Sequence, residues 1–290
     1  MQNKITKIAN DTNIFLKIFI KKQKKTELIL PMSYGLFSGG KKIRSKILFD
    51  VGSIFNINYN ILIKIGAAVE CIHAYSLIHD DLPCMDNDKM RRGKPATHVK
   101  FGESTAVLAG NSLLTLAFEI LSSREINLNE RIKNNLINKI SKCSGHLGIA
   151  GGQFLDLSFE NKKVSKKKIV EMEIKKTGEL FSFCCTAPLI VNNKNKIEIK
   201  LFEKIGLNIG LLFQVADDLI DYKSSSKIAG KKTRKDEKKG KATLISLMGY
   251  NNTVKYAEKL SFDLKKSLNI YGSKSKNLKE TIDYILFRNR

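Results

Sequence analysis

The chain has 290 residues, of which 42% are hydrophobic, so it is long enough to bury a sizeable core. Its formal charge is +23, from 51 basic and 28 acidic residues. Because lysines occur in every segment and form no basic stripe interleaved with aromatics, the composition disfavours a nucleic-acid-binding protein. With four prolines and no long alternation of polar and apolar residues, the sequence predicts helices and argues against a sheet protein.

The first 25 residues predict an amphipathic helix, because Lys17 interrupts their longest apolar run. This pattern differs from that of a signal peptide or a membrane anchor, and we expect no later membrane span. Five cysteines, an odd number without a C-x-x-C pair, indicate reduced thiols in a reducing compartment. A cytoplasmic protein is therefore expected.

Further helices follow a glycine-containing turn at residues 34–44. Residues 61–79 are apolar almost all round, which is typical of a central helix, and Pro83 predicts its end near Asp80-Asp81. Residues 223–243 are rich in Lys, Ser and Gly and predict a mobile loop. No repeat or linker divides the chain, so one domain over 1–290 is the simplest interpretation. The remaining helices are expected at about 104–122, 129–156, 166–190 and 199–222, with two or three shorter ones at the end.

Two acidic clusters, far apart in the sequence, carry the strongest functional signal. They are HDDLPCMDND, with Asp80, Asp81 and Asp86, and QVADDLID, with Asp217, Asp218 and Asp221. In the second cluster the spacing i, i+3, i+4 and i+7 from Gln214 places four polar side chains on one helix face. In the first, two aspartates end an apolar helix, where the helix dipole disfavours negative charge.

A divalent cation explains why like charges are crowded in these two places. Mg²⁺ accepts carboxylate oxygens and keeps ligand positions for water or phosphate. Two carboxylate clusters with Mg²⁺ between them would form a cradle for a diphosphate. Either cluster alone would more often be a solvated surface patch, but both end markedly apolar helices, which favours function.

Basic residues near these clusters suit the phosphate groups of such a ligand, because arginine donates parallel hydrogen bonds and glycine lets backbone amides approach an anion. His73 lies seven residues before Asp80 on the same helix face, which favours a second diphosphate site. The basic motifs are Gly39-Gly40-Lys41-Lys42 with Arg44, Arg91-Arg92-Gly93-Lys94, and Lys176-Thr177-Gly178.

Together these motifs resemble the trans-isoprenyl diphosphate synthases, and in particular the bacterial farnesyl diphosphate synthases, or geranyltranstransferases. The likeness covers GGKKIR, the segment VECIHAYSLIHDDLPCMDNDKMRRGKPATHVKFG, KTGEL and FQVADDLID, in order, from about residue 30 to 245. It implies a single all-α fold of about ten helices around a central cavity, usually as a homodimer.

The resemblance also implies the reaction and the residues. Isopentenyl diphosphate would condense head to tail with dimethylallyl or geranyl diphosphate, by metal-assisted ionisation, to give farnesyl diphosphate. Three Mg²⁺ ions would be held by the six aspartates of the two clusters. Arg91 would contact the allylic diphosphate. Isopentenyl diphosphate would be bound by Lys41, Arg44, His73 and Arg92, and the site would be completed by Lys176, Thr177, Gln214 and Lys231.

Product length depends on the floor of the pocket below the aspartates. Tyr75 lies five residues before Asp80, about 7.5 Å along a helix, where an aromatic ring could block extension beyond a C15 product. Ordinary core packing of Tyr75 is nearly as good an interpretation.

Three alternatives remain open from the sequence. The nearest is a synthase that makes a longer product, such as C20. A class I terpene cyclase also uses an aspartate-rich helix, but would usually pair it with an Asn/Ser/Glu metal motif. A non-catalytic basic helical binding protein would explain the charge of +23 but not the six placed aspartates.

The chain departs from the family pattern at four places. Lys42 and Ser45 stand where arginine and proline are usual, and Arg234 stands where glycine is typical. Thr243-Leu244-Ile245 replaces a frequent Thr-Tyr-Pro. These changes leave the charge chemistry intact.

Overall fold

The computed structural model describes residues 2–228 and 241–287. Lys231, Arg234 and most of the predicted mobile segment lie outside these residues. Within them, fourteen α-helices account for most of the chain, which confirms the predicted all-α class. They form two compact units, the first of residues 2–139 and 187–194, and the second of 140–186 with the described part of 195–290.

The first unit is built around α4 (Tyr59–Asp80), which packs against α1, α2, α3 and α6. Asn58 caps the start of α4 by accepting a hydrogen bond from the Asn60 backbone amide at 2.9 Å, and α4 ends at Asp80, as predicted. The other elements are α1 (Gln2–Lys22), α2 (Ile29–Leu36), α3 (Ile43–Ile54), β1 (Met90–Arg91), β2 (Lys94–Pro95), α5 (Thr97–Phe101) and α6 (Glu103–Ser122).

The apolar character of α4 follows from its surroundings. By length and composition alone, α4 and α6 are each long and apolar enough to cross a bilayer. In α4, however, 72% of the apolar window is buried inside the protein, as expected for a helix wrapped by its neighbours. In α6 the buried share is 44%.

A short antiparallel hairpin follows the first acidic cluster, where no strand was predicted. Arg91 pairs with Lys94 across it, and Arg92 and Gly93 form the two-residue turn with φ of 51° and 76°. Positive φ at both positions matches a type I′ turn, whose twist suits antiparallel strands. The predicted turn at 34–44 also begins late, because α2 continues to Leu36.

The second unit is organised on α11 (Lys196–Ile228), which packs against the C-terminal helices and a π-helical segment at Ile174–Gly178. The predicted two or three short C-terminal helices are confirmed. The other elements are α8 (Ile149–Ser158), α9 (Lys166–Glu173), α12 (Leu244–Met248), α13 (Tyr250–Ser267), a 3₁₀ turn (Asn269–Ser275) and α14 (Lys276–Phe287), while α7 (Glu130–Ser144) and α10 (Glu179–Val191) have residues in both units.

Two predicted boundaries were wrong. The helix expected over 129–156 is interrupted at Gly148, whose ψ of −125° is not helical and where a Cβ would overlap the Cys143 carbonyl. The loop expected from residue 223 begins later, because α11 runs to Ile228. Tyr222 stacks on Tyr250 of α13 with ring centroids 5.4 Å apart, and this contact supports the extra length of α11.

Candidate active site

The first acidic cluster lies where α4 ends. Asp81 follows the last helical residue and is 2% exposed, and the Nε of Arg91 donates to its two carboxylate oxygens at 3.0 and 3.2 Å. The backbone amide of Asp86 donates to the Asp80 carbonyl at 2.8 Å, which folds the loop back toward the helix end. Burial raises the pKa of Asp81 above its ordinary value, although Arg91 opposes the shift.

The hairpin turn connects this cluster to the glycine-rich motif before α3. Arg92 donates a hydrogen bond to the carbonyl of Gly39. Gly40 has a φ of 109°, a backbone conformation that favours glycine, and the absence of a side chain there leaves room for the Arg92 guanidinium. The structure therefore brings Arg92 together with the Gly39-Gly40 motif.

Arg44 and His73 meet between α3 and α4. The Nη1 of Arg44 donates to the Nε2 of His73 at 3.3 Å. Burial, followed by the positive charges of Arg44 and Arg92, holds the pKa of His73 well below its ordinary value. His73 is therefore a neutral imidazole surrounded by cations, and its Nε2 accepts because arginine has no acceptor.

A buried carboxylate explains the two departures beside Arg44. The hydroxyl of Ser45 donates to Glu70 at 2.6 Å, and the ammonium of Lys42 lies 3.4 Å from the same carboxylate. Both charged side chains of the pair are 6% exposed. Lys42 has a φ of 46° at the start of α3, so the ion pair stabilises an unusual backbone conformation. Sequence analysis assigned Glu70 no role in the site.

In the second unit a hydrogen-bonded chain links three predicted residues. The Thr177 hydroxyl donates to the Gln214 side-chain oxygen at 3.1 Å, and the Gln214 amide donates to Asp218 at 2.9 Å. Gln214 and Asp218 are four residues apart on α11, which confirms that they share a helix face. Asp218 is buried, Asp217 is partly exposed and Asp221 is exposed.

Asp156 is a site residue that sequence reasoning missed. It accepts from Lys176 at 2.6 Å and from Lys241 at 3.3 Å. Burial acts to raise the pKa of Asp156, but Lys176 and Lys241 together bring it below its ordinary value. The signal was the single carboxylate in GGQFLDL, which the small-residue run beside it obscured.

Two further buried polar groups lie in this unit. Both side-chain polar atoms of Gln153 are buried without a hydrogen-bond partner in the described part of the chain. Glu173 is 2% exposed. Burial raises the pKa of Glu173 well above its ordinary value, and the negative charges of Asp218 and Asp156 raise it further. Neither was predicted, because burial of a polar residue is not visible in one sequence.

The donor chemistry of the two clusters fits Mg²⁺. Among the described residues, no three His, Cys, Asp or Glu side chains are grouped to hold a metal ion by themselves. Mg²⁺ does not require such a group, because it usually takes one or two carboxylates together with substrate phosphates and water. The partly exposed Asp80, Asp86 and Asp217 offer carboxylates of this kind.

The remaining predicted residues differ in their surroundings. Tyr75 is 7% exposed, and its ring meets the edge of His79 with centroids 5.7 Å apart. Lys41 is exposed before α3. Lys231 lies outside the described residues, so the structure says nothing of its predicted role.

Comparison with known proteins decides the family. The polyprenyl synthetase family matches residues 25–285. The chain is 39% identical to a farnesyl diphosphate synthase of Escherichia coli, over 91% of this chain and 90% of that one. The chain belongs to the polyprenyl synthetase family.

Solved structures agree with this result. A synthase from Zymomonas mobilis described as FPP/GFPP synthase matches with a TM-score of 0.86 and 35% identity, covering 99% of this chain and 100% of that one. A geranyltransferase of Helicobacter pylori, complexed with magnesium and isoprenyl diphosphate, matches with a TM-score of 0.81 and 31% identity, covering 99% and 97%. The predicted isoprenoid synthase fold is confirmed.

The family match and the relatives also confirm the predicted activity. It is a prenyl transfer that condenses isopentenyl diphosphate with allylic diphosphates to farnesyl diphosphate. Geranylgeranyl diphosphate synthases also occur among the relatives, at 34–36% identity, so the C20 alternative has weaker support. The non-catalytic basic binding protein has no support among these relatives.

Proposed function

We propose that the two aspartate clusters hold the allylic diphosphate through Mg²⁺, with three ions bound by Asp80, Asp81, Asp86, Asp217, Asp218 and Asp221. The supporting observation is that each cluster contacts residues suited to a diphosphate site. Asp81 pairs with Arg91 in the first unit. In the second unit Asp218 accepts the last hydrogen bond of the series that runs from Thr177 through Gln214. Magnesium would supply positive charge to the departing diphosphate.

Binding of the allylic diphosphate also involves Arg91 in this proposal. The Arg91 side chain is 31% exposed while it holds the buried carboxylate of Asp81. A phosphate oxygen can therefore reach the outer face of Arg91 without breaking the pair. The fixed donors add to the stabilisation of the charge that develops on the leaving group.

Isopentenyl diphosphate is assigned to Lys41, Arg44, His73 and Arg92. The neutral state of His73 favours this assignment, because a neutral imidazole can accept from Arg44 and donate to an anion through its other nitrogen. The hydrogen bond from Arg92 to the Gly39 carbonyl fixes the loop that carries Lys41.

Lys176, Thr177 and Gln214 are proposed to act next to the reacting carbons. After diphosphate leaves, the allylic carbocation is attacked by the double bond of isopentenyl diphosphate, and a proton is lost to the released diphosphate. Lys176 is held by Asp156 and Thr177 by Gln214, so both side chains have fixed positions. Fixed donors stabilise developing charge without reorganisation.

Substitution of one aspartate in each cluster tests this proposal. We expect Asp80→Ala and Asp217→Ala each to lower turnover by about 10²–10³-fold, because each change removes a carboxylate that would hold the Mg²⁺ acting on the leaving group. The measurement is product formation from isopentenyl and dimethylallyl diphosphates at saturating Mg²⁺.

Asp263→Ala is the matched control, because Asp263 is exposed on α13, outside both clusters. Circular dichroism should show the same helix content in all three variants. Near-normal turnover in Asp80→Ala and Asp217→Ala would contradict the proposed magnesium site.

A homodimer is also proposed. On α6, Val107 and Leu108 are 38% and 54% exposed, and Val99 of α5 is 51% exposed. Exposed aliphatic side chains of this kind are typical of an interface with a second copy. We further propose that the chain functions as one domain and acts in the cytoplasm, where its five free cysteines would remain reduced.

A further inference from the structure

The first two helices carry a surface that combines exposed aliphatic side chains with lysines. Ile14 and Ile18, four residues apart on one face of α1, are 55% and 52% exposed, and Leu30 at the start of α2 is 66% exposed. Large aliphatic side chains at this exposure are unfavourable in water unless something covers them. We call this region the α1–α2 surface.

A cleft of about 300 Å³ is lined by residues of α1, of α2 and of the segment between them. Its apolar lining comes from Ile20, Ile29 and Phe37, and its basic lining from Lys17, Lys21 and Lys25. The ammonium of Lys17 lies 5.7 Å from the centroid of the Phe37 ring. The α1–α2 surface therefore offers apolar contacts and positive charge side by side.

Contacts at the end of α1 fix the direction of this surface. Lys22 pairs with Glu125 at 2.7 Å, and Gln23 donates to Glu119 at 2.6 Å. Because these two residues are held by the rest of the unit, the face with Ile14 and Ile18 points consistently to solvent. Within the part of the chain that the structure describes, Lys21 forms no ion pair.

We propose that the α1–α2 surface binds peripherally to an anionic lipid bilayer. Aliphatic side chains would enter the boundary between headgroups and acyl chains, while the lysines contact lipid phosphates. This inference goes beyond the proposed function, because none of these residues belongs to the diphosphate sites.

The chemistry of the surface disfavours two other partners. A second copy of the chain would bring like-charged lysines together, which is destabilising. A single-stranded nucleic acid would be expected to use aromatic rings for base stacking, whereas the exposed apolar side chains here are aliphatic.

Vesicle co-sedimentation tests the proposal. We expect the protein to bind vesicles that contain phosphatidylglycerol and to bind phosphatidylcholine vesicles at least tenfold more weakly. The triple variant Lys17→Gln, Lys21→Gln, Lys25→Gln should lose roughly a hundredfold in affinity, about fivefold for each lysine. The double variant Ile14→Gln, Ile18→Gln should also lose affinity, and added salt should weaken wild-type binding.

A matched control replaces similar residues elsewhere. Ile197 is 82% exposed on α11, near Lys200 and Lys204, but Glu198 and Glu203 interrupt the positive charge there. The variant Ile197→Gln, Lys200→Gln, Lys204→Gln should bind vesicles like the wild type. All variants should keep wild-type turnover without vesicles, which separates this test from that of the proposed function.

Three results would overturn the proposal. They are equal binding to neutral and anionic vesicles or to neither, equal loss of binding in the α11 control, and a change in oligomeric state of the α1 variants in sedimentation velocity. The last result would assign the α1–α2 surface to a second copy of the chain.

Discussion

Glu70 shows how one buried residue determines the shape of a binding loop. It accepts from Ser45 and pairs with Lys42, the two positions at which the glycine-rich motif departs from the family pattern. A buried carboxylate needs such partners, because removing either leaves charge or a polar group unsatisfied. The serine therefore takes part in a network that a proline, which has no hydroxyl, cannot form.

Tyr75 belongs to the same helix and gives the first prediction at this scale. Tyr75→Ala should lengthen the product beyond C15, because it removes a ring about 7.5 Å along α4 from Asp80. Chromatography of the hydrolysed products measures chain length. Because loss of a buried ring costs about 3–5 kcal/mol of stability, folding of the variant is checked first by thermal melting.

Tyr75→Phe is the control, because it keeps the ring and removes only the hydroxyl. It should retain a C15 product. An unchanged product in a folded Tyr75→Ala variant would show that Tyr75 is an ordinary core residue.

Among the elements, the π-helical segment at Ile174–Gly178 carries Lys176 and Thr177. Such segments often occur at functional sites, because the extra residue per turn changes the direction of side chains. Two glycines let neighbouring helices approach it. A Cβ at Gly152 of α8 would overlap the backbone of Lys176, and one at Gly210 of α11 would overlap Gly178.

Gly152→Ala tests the importance of this close packing. The added methyl group should displace the π segment, lower the free energy of unfolding by about 1–3 kcal/mol and reduce turnover. Denaturant unfolding and steady-state kinetics measure the two effects. Gly66→Ala in α4 is the control, because the nearest atom to its new Cβ is 3.4 Å away, and it should change neither. Wild-type behaviour of Gly152→Ala would contradict this role for α8.

At the scale of the whole molecule, crowding of six aspartates links metal and substrate binding to stability. Mg²⁺ and pyrophosphate together should raise the melting temperature by about 5 °C at a hundredfold excess over Kd, because both bind the folded state. Differential scanning fluorimetry measures the shift.

Chelation with EDTA should abolish the shift, and Asp217→Ala should reduce it. An equal shift with pyrophosphate in EDTA would mean that the anion binds to basic residues without metal. Such a result would weaken the case for magnesium but not for the family.

Local features of the fold could be predicted from the sequence. The end of α4 at Asp80, the shared face of Gln214 and Asp218, and the all-α class follow from spacing, breakers and apolar pattern, which are set by neighbouring residues. The interruption at Gly148 and the hairpin after the first cluster were missed. Glycine and turn signals were present there, but which of them ends an element depends on the packing around it.

The sequence by itself determined the family, the helical class and the residue types of the two acidic clusters, because these depend on the order and spacing of side chains. Tertiary structure decided the partners: Ser45 with Glu70, Asp156 with Lys176, and Arg91 with Asp81. The physical reason is that these contacts join residues from 10 to 25 positions apart, so they exist only once the intervening chain has folded.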